Sequence, residues 1–203
     1  MSKKAYTAIG IIALLIFLTL IYVFEYFNDA GDNAVILTVN GEPLYNYQVD
    51  RVVSQSKRYE RSEIIETSID DLLLIQYAQA NGCEVSDEEV SAKLQAYKES
   101  LPAIYELAVD RYGINDLKSG LKNMILIDRA KDLYLSSNAS KSYSETELDE
   151  YLIKNDIAPE QLTEEQYDLA SQEYIEITLI NSLLSDLRST ASIIYIDKQI
   201  PLA

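Results

Sequence analysis

The sequence predicts a mostly α-helical domain, closed by a small two-stranded sheet made from its first and last strands and preceded by one transmembrane helix. Three observations carry this expectation. An uncharged run of twenty residues, AYTAIGIIALLIFLTLIYVF, occupies Ala5 to Phe24. From residue 68 to residue 190 apolar side chains recur at steps of three and four, the period of an amphipathic helix. Two short β-branched runs, Val35 to Val39 and Ser192 to Ile196, stand at the ends of that helical stretch.

As a helix the uncharged run spans about 30 Å, the hydrocarbon thickness of a bilayer. Twelve of the sixteen residues from Ile9 to Phe24 are Ile, Leu, Val or Phe, and together they favour insertion by about 4 to 7 kcal/mol. A cleaved signal peptide would carry a shorter apolar core and small residues at its cleavage site. Here Ala30 has Asn28 two residues before it and Ala34 has Asp32, so a retained anchor is expected. Lys3 and Lys4 precede the run while Glu25, Asp29 and Asp32 follow it, which puts the N-terminus in the cytoplasm and the rest outside. Tyr22, Tyr26 and Phe27 suit an interfacial aromatic belt. The expected organisation is a cytoplasmic tail at 1–4, a signal-anchor helix at 5–24, a linker at 25–33 and an extracytoplasmic domain at 34–203, in a single-pass protein of the cell membrane.

Within that domain, Val35 to Val39 reads as a strand ended by the turn dipeptide Asn40-Gly41. Pro43 sets the exit of the turn, and Asn46 is the expected N-cap of a helix reaching about Arg61. From Ser68 to Ala80 the residues Ile69, Leu72, Leu73, Tyr77 and Ala80 share a helical period, stopped by Asn81-Gly82. Ser86-Asp87-Glu88-Glu89 is a capping box heading a helix with Val90, Leu94, Tyr97 and Leu101 on one face, interrupted at Pro102. Ile104 to Tyr112 is a further helix ended by Gly113. A long helix follows, with Leu117, Leu121, Met124 and Ile125 facing inward, then a polar loop at Ser136 to Ser142. Ser144-Glu145-Thr146-Glu147 caps a short helix to about Lys154, and the Pro159 region breaks the chain. From Thr163 to about Thr190 runs the last helix, with Ala170, Tyr174, Ile177, Leu184 and Leu187 close to a seven-residue repeat that offers a route to a homodimer. A lone strand leaves backbone groups unpaired, so the two end strands are expected to pair with each other.

Composition excludes several functions. The net charge of −16, from 33 acidic and 17 basic residues, is the wrong sign for a phosphate-binding surface, so nucleic acid is not an expected partner. The chain has no histidine and one cysteine, Cys83, which removes intrachain disulfides, paired-thiolate metal sites and histidine-based nucleophile systems. No metal and no cofactor are expected, and Cys83 reads as a small buried apolar residue. The pairs Asp70-Asp71 and Glu88-Glu89 lack the spacing of a calcium loop and read as solvated helix faces. Asn138-Ala139-Ser140 matches a glycosylation sequon. Without a phosphate loop or nucleophile elbow, an enzyme is the least favoured class.

The order of parts resembles the SurA/PrsA-type family of extracytoplasmic chaperones over almost the whole exported part. ILTVNGEPLYNYQVD, Ile36 to Asp50, is similar to that family's opening strand, turn and polar helix start. IDDLLLIQYAQANGCEVSDEEVSAKLQAYK, from Ile69, resembles its helix, glycine stop and Ser-Asp-Glu-Glu-Val cap, and YGINDLKSGLKNMILIDRAKD, from Tyr112, its next segment. YSETELDEYLIKN, from Tyr143, looks like the short helix before its isomerase module, and EYIEITLINSLLSDLRSTASIIYID, from Glu173, like its closing helix and strand. The chain departs from the family in one respect. A parvulin-type isomerase module usually lies between those last two parts, and here only Asp156 to Thr163 fills the interval, in a chain with no histidine for that site.

The resemblance therefore implies a helical chaperone-like domain, like that family's N-terminal one, that holds unfolded or partly folded exported polypeptides without isomerase activity. The expected client-binding residues are Tyr97, Leu101, Ile104 and Tyr105, grouped about Pro102, with Met124 and Ile125 on the long helix. Apolar and tyrosine side chains offer contact area while the phenol tip tolerates water. The plain alternative for each is a place in the core, since helical stripes are usually buried. A second functional reading is a non-catalytic scaffold for one specific partner in a membrane complex.

Overall fold

Antiparallel strands at the two ends of the domain bracket seven α-helices in the computed structural model, which describes residues 34–55, 58–138 and 143–196. The expected tail, membrane span and linker at 1–33 lie outside the described residues. Among the described residues no helix is long and apolar enough to cross a membrane. The chain divides into two compact units, one ending at Ile69 and resuming at Ser192, the other running from Asp70 to Ala191.

In the first unit, β1 (Val35–Val39) and β2 (Glu42–Tyr45) form a hairpin. Its two turn residues, Asn40 at φ 53° and Gly41 at φ 85°, are both left-handed, the geometry that matches the twist of the flanking strands. β3 (Ile193–Tyr195) lies on the other side of β1, so the strand order is β2-β1-β3. Leu37 faces Tyr195, Thr38 faces Ile194 and Val39 faces Ile193. The expected pairing of first and last strands is present, and Asn40 anchors it: its N–H donates to the Ser192 carbonyl and its Oδ1 accepts from the Ser192 N–H, both at 2.8 Å. The expected two-stranded sheet is corrected to three strands. β2 is an edge strand, where the missing donor of Pro43 is tolerated.

A register shift between Val35 and Leu37 re-aims the strand, and the consecutive residues Ile36 and Leu37 are both buried, where strict alternation would expose one. With Val39, Leu44, Val49, Ile64, Ile65 and Ile69 they make up the buried apolar set of this unit.

The first helix, α1 (Asn46–Gln55), is shorter than expected, and Arg61 opens α2 (Arg61–Ala80) instead of ending α1. Asn46 lies inside α1 rather than capping it. The Tyr45 N–H donates to Gln48 Oε1 at 2.9 Å, while Asn46 Nδ2 donates to Asp50 Oδ2 and Asn46 Oδ1 accepts from Arg61 Nη2, both at 2.6 Å. Arg61 also pairs with Asp50 at 2.5 Å, so one guanidinium joins the starts of the two helices. α2 begins before Ser68 because Ile64 and Ile65 also carry buried apolar surface; Ala80, the last residue of the helical period, is exposed.

The second unit contains the rest of α2, then α3 (Asp87–Ser100), α4 (Pro102–Tyr112), α5 (Ile114–Ser137), α6 (Glu145–Lys154) and α7 (Glu164–Thr190). Its core combines Leu74 and Ala78 of α2, Val90 and Leu94 of α3, Leu121, Ile125, Leu126 and Ala130 of α5, and Leu183 of α7. α2 stops where Gly82 takes φ 78° and the Cys83 N–H reaches the Ala78 carbonyl at 2.9 Å.

Two helices start with complete capping boxes. At α6, Ser144 Oγ accepts from the Glu147 N–H while Glu147 accepts from the Ser144 N–H; at α7, Thr163 and Gln166 do the same. The backbone N–H of Ser144, with its hydroxyl, holds the Glu147 carboxyl below its usual range. The expected box at Ser86 is half formed: Ser86 Oγ accepts from the Glu89 N–H, but the Glu89 carboxylate reaches Arg129 instead.

The first half of α7 lies on α6, where Tyr174 contacts the Tyr143 and Tyr151 rings and the half-buried Tyr167 donates to Asp149 at 3.0 Å. Loss of water and the carboxylate of Asp149 push the Tyr167 hydroxyl up to about 12. The second half of α7 turns to α5, and Leu184 and Leu187 pack on the unit's own core. Its buried positions are therefore Ser171, Leu179 and Leu183, and Ile177 is exposed.

Candidate functional site

α3 carries an apolar stripe whose first members, Val90 and Leu94, are buried and whose next members, Tyr97 and Leu101, emerge into solvent. Proline ends the helix there, because Pro102 has no N–H for the next helical bond and its ring crowds the preceding turn. The Leu101 N–H still closes on the Tyr97 carbonyl at 2.9 Å, after which Leu101 leaves the helical region at φ −137° and ψ 57°. Pro102 then serves as the first residue of α4, where its fixed φ is an advantage. Gly113, at φ 77°, closes α4 and launches α5.

α4 itself has no buried residue. Its inner side and the neighbouring faces of α3 and α5 enclose a groove of about 220 Å³ lined by Leu94, Tyr97, Leu101, Ile104, Tyr105, Ala108, Leu117, Leu121 and Met124. The accessible lining is apolar. At the rim Lys98 Nζ lies 5.7 Å from the Tyr105 ring centre, a cation–π distance.

Five of the six expected binding residues meet here. Tyr97, Leu101, Ile104, Tyr105 and Met124 line the groove, with Ile104 61% and Leu101 46% exposed. Ile125 is corrected to core: it is 5% exposed and packs with Leu121 and Leu126, because one step along a helix turns a side chain by about 100° away from Met124. Leu117 and Leu121, read as inward-facing, form the floor, and Ala108 was not anticipated.

The reading of the acidic pairs as solvated helix faces holds for exposed Glu88 and is corrected for half-buried Asp70, Asp71 and Glu89. Asp70 pairs with Arg188 at 2.6 Å, and Glu89 takes both its oxygens to Arg129 Nη2 at 2.6 and 2.7 Å. Burial pushes the Asp71 carboxyl up, against Lys131, which lowers it, and with Asp70, which adds to the rise. Cys83 is half-buried against the core, not fully enclosed. Asn138 Nδ2 donates to the Tyr134 carbonyl at 2.9 Å, and the remainder of the sequon lies outside the described residues. No group of three or more potential metal ligands occurs among the described residues.

The groove exposes apolar surface, and the polar groups its lining side chains carry are the hydroxyls of Tyr97 and Tyr105. It can take apolar groups out of water. A cavity of about 150 Å³ holds a benzene-sized group and small-molecule sites usually span about 300–1,000 Å³, so this one suits one or two side chains. Each would contribute about 1.5 to 3 kcal/mol on full burial, which gives weak, reversible contacts. No protein-family model matches the chain, and no curated protein matches it in sequence.

Proposed function

We propose that the chain is a membrane-anchored extracytoplasmic holdase, a helical module of the SurA/PrsA type without its isomerase part, that binds apolar segments of unfolded or partly folded exported polypeptides. The observation that carries this reading is the open apolar groove between α3, α4 and α5, where exposed Leu101 and Ile104 stand beside a floor of Leu117 and Leu121. Clustered exposed apolar side chains beside a groove support a docking site for another chain. The weakness of each contact suits capture and release. The uncharged run at 5–24 and its flanking charges support a single-pass anchor with the domain outside. No proline-isomerising step belongs to the reading, since only Asp156 to Thr163 separates the short helix from the closing one and the chain has no histidine.

The test uses the full chain in zwitterionic lipid nanodiscs, with empty discs as the blank. Aggregation of several unrelated unfolded proteins is followed by light scattering, beside a proline-isomerisation assay. The expected result is suppression of aggregation for all of them, weakened by Ile104→Asn, with a flat isomerisation trace. Unchanged aggregation in every case, or isomerase turnover, overturns the reading. Protection of one protein alone points instead to a scaffold dedicated to one partner.

A further inference from the structure

The chain contains two Asn-Gly dipeptides, Asn40-Gly41 and Asn81-Gly82. Such a pair can modify itself, because glycine has no Cβ to keep the asparagine side chain away from the next peptide nitrogen. That nitrogen, once it has lost its proton to hydroxide, attacks Cγ of the asparagine. The N–Cγ bond forms, the Cγ–Nδ2 bond breaks, and ammonia leaves with a proton taken from water. Water then opens the resulting succinimide ring at one carbonyl to give aspartate, or at the other to give isoaspartate. No oxidant or reductant is needed.

The fold treats the two pairs differently. At the end of α2 the Gly82 N–H donates to the Gln79 carbonyl at 3.0 Å, and Asn81 Nδ2 donates to the Tyr77 carbonyl at 2.8 Å. The nucleophile there keeps its proton in a hydrogen bond, and the leaving nitrogen is tied back along the helix. At the hairpin tip both Asn40 and Gly41 are exposed, and nothing lies within 4 Å of the place a Gly41 Cβ would take. The Gly41 N–H donates to no backbone carbonyl among the described residues, so the attacking nitrogen is open to water and hydroxide. Asn40 Oδ1 meanwhile accepts from the Ser192 N–H at 2.8 Å, a donor placed where negative charge gathers as Cγ is attacked.

We infer that Asn40 is a site of spontaneous deamidation in the folded protein, and that its isoaspartate product unfastens the closing strand β3. Isoaspartate adds a methylene to the main chain of a tight turn, which breaks the match between the turn and its flanking strands. Position 40 then no longer holds Ser192 through both its N–H and its side chain, the two bonds that begin the pairing of β1 with β3. Aspartate keeps the backbone and an acceptor at Oδ1, so it leaves β3 in place. This inference is independent of the reading of the groove.

The full chain in zwitterionic nanodiscs is incubated at mildly alkaline pH beside a sample denatured in urea. Products at positions 40 and 81 are then counted by peptide mass spectrometry, with isoaspartate marked by enzymatic methylation. In the folded chain the product at Asn40 should exceed that at Asn81 severalfold, and in urea the two should draw level. Chromatographically enriched protein with isoaspartate at position 40 is next compared with the unmodified chain and with Asn40→Asp by amide hydrogen exchange. The Ile196 N–H, which donates to the Ile36 carbonyl, should exchange severalfold faster in the isoaspartate form alone, with the amides of α5 unchanged. A folded chain that stays intact at Asn40, reacts equally or faster at Asn81, or shows a ratio that urea does not alter overturns the assignment of the site. Exchange at Ile196 that is unchanged, or that rises equally in α5 or in Asn40→Asp, overturns the link to β3.

Discussion

The ion pair between Glu89 and Arg129 should hold α3 to α5, and its removal has a calculable cost. Arg129 Nη2 donates to both oxygens of Glu89 at 2.6 and 2.7 Å, and Arg129 Nη1 also donates to the Glu84 carbonyl. Two unit charges about 4 Å apart attract by about 4 kcal/mol at an effective dielectric of about 20, and by about 1 kcal/mol in bulk water. The two side chains are 35% and 39% exposed, so water screens the pair and the lower end applies, raised slightly by the charge-assisted hydrogen bonds. The coupling is therefore about 1 to 1.5 kcal/mol. The perturbation is a double-mutant cycle of Glu89→Gln and Arg129→Met, read by urea unfolding of residues 34–203 and repeated in 0.5 M NaCl. The double variant should lose less than the sum of the singles by about that coupling, and the difference should shrink in salt. In a parallel cycle Ser86→Ala should cost about 1 kcal/mol, the usual cost of an N-cap. It should add to Glu89→Gln within about 0.3 kcal/mol, because the carboxylate is not closing the box. Strong coupling of Glu89 to Ser86 with none to Arg129 would refute the assignment.

Other outcomes follow from single features. Gly82→Ala should destabilise by about 1 kcal/mol although nothing lies within 4 Å of the added methyl, because φ 78° strains any residue with a Cβ; a thermal melt reads it. Ile125→Ala should cost about 2 to 5 kcal/mol as a core truncation, while Ile104→Asn, at an exposed position, should stay within about 0.5 kcal/mol, separating core from groove in one denaturation experiment. Asp71 has a folded-state pKa raised above 3.8, so its contribution to stability is present below that value and is lost as pH rises through the folded pKa; Asp71→Asn should stabilise at neutral pH, and the gain should vanish in acid. Glu147 has the opposite sign, with a folded pKa below 4.5, so its contribution is present above 4.5 and lost as pH falls through the folded value; Glu147→Gln should flatten that part of the acid-unfolding curve.

Much of the fold can be read from local chemistry. The strand at Val35–Val39, the stops at Gly82 and Gly113 and the box at Ser144 each depend on a few adjacent residues, and each stands where those residues place it. What local reading misses depends on distant partners. Glu42 and Pro43 are poor strand formers, yet β2 forms because β1 supplies a template and the edge position forgives the proline. Glu89 has the spacing of a capping residue, and only the approach of Arg129, forty positions later, takes the carboxylate away. The seven-residue repeat in α7 marks one seam, whereas the helix meets α6 along its first half and α5 along its second, so its buried face shifts partway.

The groove arises from the same interplay. A stripe of apolar residues at steps of three and four signals a buried helix face only as far as there is something to bury it against. In α3 that stripe continues from Val90 and Leu94 into Tyr97 and Leu101, but Pro102 turns the chain before a neighbour can cover the last two. α4 then arrives with Ile104 and Tyr105 beside them and no buried residue of its own, and α5 adds Met124 next to the core residue Ile125. The stripe is thus longer than the core beneath it, and the excess is where the candidate site lies. This explains why pattern alone could name five of its residues and still could not separate them from Ile125. Periodicity reports which side chains avoid water, while a proline and two helix ends decide which of them are left to meet it.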